Sequence, residues 1–106
     1  MDGIELGEVI AERGLEGEHE GRPITVTVKV GRPVPDPDGH WTCPYRISSP
    51  VKERTFYAFG VDAVQALYLA LYMIGAELRS GYKGLQLRWY GGEELGFPTD
   101  VAVENE

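Results

Sequence analysis

Between positions 24 and 30 the chain alternates residue by residue, with Ile24, Val26, Val28 and Val30 set against Thr25, Thr27 and Lys29. A period of two built from β-branched side chains predicts a strand with one face on a core and one in water. Residues 7–15 are less regular but carry Val9, Ile10 and Ala11. The following Glu16-Gly17-Glu18-His19-Glu20-Gly21 reads as a loose loop closing an antiparallel hairpin with the 24–30 strand. Pro33, Pro35 and Pro37 then stiffen a loop, since each fixes its own φ and pushes its predecessor toward extended geometry. A second alternation sets Trp41, Cys43, Tyr45 and Ile47 against Thr42, Pro44, Arg46 and Ser48. Pro44 has no amide to offer a ladder, which predicts an edge strand or a bulge there. Ser49-Pro50 marks a turn, and a strand resumes over 53–59 with Phe56, Tyr57 and Phe59.

Helical spacing begins at Asp62, which can cap the first turn while Gln65 reaches back to it. The helix is expected to run to about Ser80, with Gly81 in the left-handed position after it and Arg79 complementing the dipole. At 100° per residue, Val64, Leu67, Tyr68, Leu71, Ile74, Gly75 and Leu78 share the face expected on the sheet. Leu69, Tyr72, Met73 and Ala76 then occupy the face where a surface helix normally carries charges, so a second copy or a protein partner is expected to cover it. A last alternation of Leu85, Leu87 and Trp89 predicts a strand after the helix, ending at Gly91-Gly92. The expected architecture is one α+β domain over residues 1–106: an antiparallel sheet of four to five strands with one long helix packed on one face, in the order β-β-β-β-α-β. Acidic, flexible ends are expected at 1–6 and 99–106.

A chain of 106 residues supports one hydrophobic core and no second domain. The longest uncharged stretch, residues 63–76, includes Gln65 and falls short of the roughly 20 apolar residues a membrane span needs. Residues 1–10 have neither the basic nor the apolar region of a secretory signal, and Cys43 is the only cysteine. Both fit a cytoplasmic, reducing setting, with no disulfide and no cysteine-based metal cluster. The net charge of −7 is uneven. Residues 1–20 hold seven acidic residues against Arg13 alone, and residues 93–106 hold five with no Lys or Arg, whereas 21–92 is locally basic. Arg46, Lys52 and Arg54 near Tyr45 and Tyr57 resemble a single-strand nucleic-acid patch, but the total charge opposes the attraction such binding relies on.

Catalytic signals are sparse. Cys43 and His40 stand three apart at a strand entry, on opposite faces, which argues against a thiolate–imidazole pair. Asp36, Asp38 and His40 have the alternate spacing of a metal loop without the glycine and acidic positions an EF-hand needs, so they read as a solvated turn. Neither a P-loop nor a G-x-G-x-x-G is present. No catalytic residue, cofactor or metal is assigned.

The segment Trp89-Tyr90-Gly91-Gly92-Glu93-Glu94-Leu95-Gly96-Phe97-Pro98 is the most distinctive in the chain. Its glycines suggest a tight path that buries Leu95 and Phe97, puts Gly91 or Gly92 at positive φ, and presents Glu93 and Glu94. Together with the loop from Gly31 to Gly39, the Trp41-Thr42-Cys43-Pro44-Tyr45 strand and the helix start between Tyr57 and Leu67, this segment resembles a family of small bacterial proteins of unknown function. The resemblance spans about residues 22–98 and implies bacterial origin and one compact domain, with no catalytic residue to transfer. The expected function is a non-enzymatic protein-interaction module, immunity- or antitoxin-like, using Leu69, Tyr72, Met73, Ala76, Glu93 and Glu94. The alternative is a small-molecule site or an enzyme of unrecognised chemistry around Asp36, Asp38, His40 and Glu93/Glu94.

Overall fold

In the computed structural model, residues 4–99 are described, and they form an antiparallel sheet with one helix across it. Strands β1 (Val9–His19) and β2 (Arg22–Gly31) make the first hairpin, followed by the short β3 (Val34–Pro35), β4 (Trp41–Ser48), β5 (Glu53–Gly60) and helix α1 (Ala63–Gly81). β2 and β5 flank β4, β3 pairs with the first residues of β4, and β1 lies outside β2. The fold class is therefore the expected one, and its fifth strand is β3. The segment expected to be a strand after the helix instead makes a 3-10 turn at Lys83–Leu85, one antiparallel bridge to the sheet, Glu16 to Arg88, and a second within itself, Trp89 to Gly92.

The first hairpin is tighter than its acidic sequence suggests. β1 and β2 stay paired out to His19 and Arg22, and Glu20 (φ 52) and Gly21 (φ 79) turn the chain in two residues. Positive φ at both central positions is the turn whose twist suits a hairpin. Pro44, expected at an edge or a bulge, sits in a strand paired on both sides. The β2 ladder stops at Val30–Tyr45, one pair before Pro44, and β3 resumes it at Thr42. The proline thus lies opposite the gap between two partner strands, where no donor is required.

The inward faces pair in register, Leu15 with Val26, Val28 with Ile47, Val30 with Tyr45 and Cys43 with Ala58, and these side chains are buried. Asp62 caps α1 by accepting the Gln65 amide at 2.8 Å, and Gln65 Oε1 accepts the Val61 amide at 2.8 Å. The helix lays Ala66, Ala70, Ile74 and Leu78 on the sheet as an i, i+4 ridge. That face is rotated from the expected one, and the connection explains the rotation. Only Val61 and Asp62 separate β5 from α1, and Gly60 lies so close that a Cβ there would strike the Ala66 backbone. Ala66 is thereby pinned to the sheet, and Val64, expected inside, is 76% exposed.

Tyr82, at φ −126, ends the helix, so Gly81 does not take the left-handed position; Gln86 does, after the 3-10 turn. Of the ends expected to be flexible, residues 1–3 and 100–106 lie outside the described residues. Leu6, by contrast, is buried, with its carbonyl against Gly31 on the sheet face away from the helix. No helix among the described residues is long and apolar enough to cross a membrane.

Candidate functional site

The terminal motif is held by a residue that sequence reasoning passed over. Arg13 lies opposite Val28, so its side chain emerges on the helix side of the sheet, where an apolar residue would be expected. Its guanidinium stacks between Trp89, 4.0 Å from the ring centre, and Phe97, 4.7 Å from the ring centre. It also donates to the carbonyls of Leu95 and Gly96, both at 3.0 Å. Gly96, at φ 81, allows this closeness, because a Cβ would come within 2.5 Å of the Trp89 ring and 2.6 Å of the guanidinium. The signal available in the sequence was the single cation within an acidic run, at the parity of the inward residues.

This clamp explains most of the motif. Tyr90 (φ 51) and Gly91 (φ 80) form a two-residue turn closed by reciprocal hydrogen bonds between Trp89 and Gly92, at 2.9 and 3.0 Å. Positive φ at Gly91 is as expected. Leu95 and Phe97 are half-buried against the core rather than fully enclosed. Phe97 and Pro98 press on Gly75 of the helix. Glu93 and Glu94 are exposed on the rim of a depression of about 130 Å³ that also touches Arg79, Leu95 and Thr99. Asp36, Asp38 and His40 do not line it.

Those three residues form a separate group in the turn before β4, and their donor atoms lie within 4.8 Å of one another. Asp36 Oδ1 is already occupied, accepting the amides of Asp38 at 2.9 Å and His40 at 3.1 Å, while Asp36 and His40 close the turn through the backbone at 2.8 Å. Turn-forming hydrogen bonds account for the spacing. Elemental analysis of the purified protein is therefore expected to give far less than one equivalent of Zn²⁺, Ca²⁺ or Mn²⁺. One equivalent that disappears in Asp38→Ala would reassign the turn as a metal loop.

The helix face expected to seek a partner has changed membership. Leu69 and Met73 are half-buried and packed against the core, so they belong to the flank of the sheet-facing ridge. Tyr72 and Ala76 are half-buried, and Val61 and Val64 are the strongly exposed apolar residues nearby. The basic residues do not gather into one patch. Arg46 lies on the open sheet face and donates to Thr55 Oγ1 at 2.9 Å, Arg54 reaches Glu77 at 3.2 Å, and Lys52 donates to the Gly81 carbonyl at 3.0 Å. Tyr45, counted with them in the sequence, is fully buried.

Two phenols and a carboxylate meet beneath Arg54 and Lys52. The Tyr45 hydroxyl donates to Glu77 Oε2, and Arg54 holds Oε1 of the same carboxylate. Burial first, then this hydrogen bond, raises the Tyr45 phenol far above the ordinary tyrosine value. Burial, with Glu77 beside it, likewise raises Tyr82, whose hydroxyl is enclosed and has no hydrogen-bond partner among the described residues. Burial pushes the Cys43 thiol up to about 11, and Cys43 donates to the Gly31 carbonyl at 3.4 Å. A thiol so placed is protonated at neutral pH and is a structural residue, not a nucleophile.

A family model described as a domain of unknown function (DUF6968) matches residues 11–99, and the chain belongs to that family. The comparisons with curated proteins and with solved structures find no match. The matched span contains β2 to α1, the Arg13 clamp and the terminal motif.

Proposed function

We propose that the protein is a bacterial, cytoplasmic, non-enzymatic interaction module that pairs with a second copy of itself through the outward stripe of α1. The observation that carries this reading is the chemistry of that stripe. Opposite the ridge of Ala66, Ala70, Ile74 and Leu78, the helix presents Val64, Tyr68, Tyr72 and Ala76, continued by Val61 in the preceding loop, with no charge before Arg79. A surface helix ordinarily places its charges there. In a chain of net charge −7, a charge-free stripe is also where two copies can meet without bringing carboxylates together. A dimer of this kind would leave the acidic strands facing outward toward a basic protein, as in immunity or antitoxin proteins.

Sedimentation at high micromolar concentration is expected to give a dimer. Val64→Glu should return it to a folded monomer, its midpoint lowered only by the lost dimer linkage and no longer dependent on concentration, because Val64 contributes little to the monomer's own core. A monomeric wild-type protein would rule out the dimer.

A further inference from the structure

We propose that the outer edge of β1, from Glu12 to Glu16, together with the Trp89–Tyr90 turn, is a docking notch for an extended, Lys- or Arg-bearing segment of a partner protein, which adds to β1 as a short strand. This site is separate from the helix stripe and does not rest on the dimer.

The backbone supplies the first argument. Glu16 exchanges both of its hydrogen bonds with Arg88, each 2.8 Å, so its N–H and C=O point away from β2. In an antiparallel strand the direction alternates residue by residue, so Gly14 and Glu12 point their N–H and C=O the same way. The returning chain could have continued along this edge, placing Tyr90 beside Gly14 and Gly92 beside Glu12. The turn at Tyr90 and Gly91 folds it back after one bridge instead. Among the described residues nothing pairs with Gly14 or Glu12 on that side. A tyrosine in left-handed geometry is a local cost for a turn that keeps the edge open.

The second argument is the shape and charge of the opening. A depression of about 430 Å³ lies along the edge, bounded by Glu12, Arg13, Gly14, Glu16, Trp89 and Tyr90. Glu12 and Glu16 lie on the sheet face away from the helix, opposite Lys29 and Thr25 of β2, and neither makes an ion pair among the described residues, Glu16 having no cation across from it. Gly14 between them leaves open space where a side chain would stand. Tyr90 is 91% exposed beside Trp89. An added strand with cations on one face would set them against Glu12 and Glu16, and its other face would meet the aromatic wall. A second copy pairing β1 with β1 would place these carboxylates opposite one another, which is unfavourable. The same charges that keep like edges apart therefore select a basic partner.

The test is an NMR titration of the full chain with an acetylated and amidated Thr-Lys-Val-Lys-Val-Lys-Thr peptide. Shifts are expected at the amides of residues 10–16 and 89–92, and the Gly14 and Glu12 amides, fast to exchange in the absence of peptide, should become protected. The Glu12→Lys/Glu16→Lys double variant should weaken binding at least about tenfold, as should N-methylation of the peptide on its pairing edge. Val64→Glu should leave binding intact, which separates this result from the fate of the dimer. Three outcomes would overturn the proposal: no shift at β1, binding indifferent to N-methylation, or Gly14 and Glu12 amides already protected without peptide, which would mean that another segment or copy holds the edge.

Discussion

Tyr45→Ala is expected to destabilise the fold by about 4 kcal/mol, and Tyr45→Phe by only about 1 kcal/mol. Tyr45 is fully buried at the centre of the middle strand, paired with Val30 on one side and Phe56 on the other, with the Phe56 ring edge-on at 6.5 Å. Truncating it removes an aromatic ring from a position too enclosed to collapse, the situation that gives the largest cavity losses. Removing the hydroxyl alone leaves the ring in place and deprives Glu77 of one donor. Glu77 keeps Arg54 at 3.2 Å, and its side chain retains some solvent contact, so its charge is not stranded. Urea midpoints at constant slope would measure both. If Tyr45→Phe matched Tyr45→Ala, the hydroxyl–carboxylate bond rather than ring packing would hold the helix to the sheet at this point.

The alternating strands were readable because each inward position is β-branched, aromatic or cysteine and, Pro44 and Gly31 apart, its neighbours are polar: Val26, Val28 and Val30 in β2, and Cys43, Tyr45 and Ile47 in β4, are all buried. The helix start was readable from Asp62 and Gln65. Its rotation was not, because the helix is apolar on nearly every side and periodicity cannot choose among several apolar stripes. The choice is made by Gly60, whose missing side chain lets β5 touch Ala66, a contact no spacing rule encodes. The strand expected after the helix failed for a comparable reason. Leu85 and Leu87 are inward as alternation requires, but the left-handed Gln86 between them and the turn at Tyr90 break the extended path. In the terminal motif the glycines announced a tight route and Gly91 took positive φ, whereas the partner that explains the route, Arg13, lies more than eighty residues away in the chain.

That partner sets the second large effect. Arg13→Ala is expected to cost roughly 2–3 kcal/mol, from two cation–π contacts and two charge-assisted hydrogen bonds, with the carbonyls partly recovered by water. More informative than the total is where the loss appears. The stretch from Trp89 to Pro98 packs on the rest of the protein through the guanidinium, through Phe97 and Pro98 against Gly75, and through Trp89 and Leu95 at the border of the core. Without Arg13, amide protection at the Trp89–Gly92 turn should fall and protease cleavage within residues 89–98 should accelerate, while the β2–β4–β5 ladders stay protected. Arg13→Lys should recover only a minor part, because an ammonium keeps the charge and can donate to the two carbonyls, both of which accept from the one Arg13 Nη1, but lacks the flat face that stacks on two rings. Gly96→Ala should resemble Arg13→Ala by another route, since its new methyl would wedge the Trp89 ring away from the guanidinium. Unaltered protection at Trp89 and Gly92 in Arg13→Ala would show that the motif holds its own shape and that Arg13 merely rests against it. Full recovery in Arg13→Lys would make charge alone the cause. A clamp that depends on stacking requires the lysine variant to behave like the alanine one and Gly96→Ala to reproduce both.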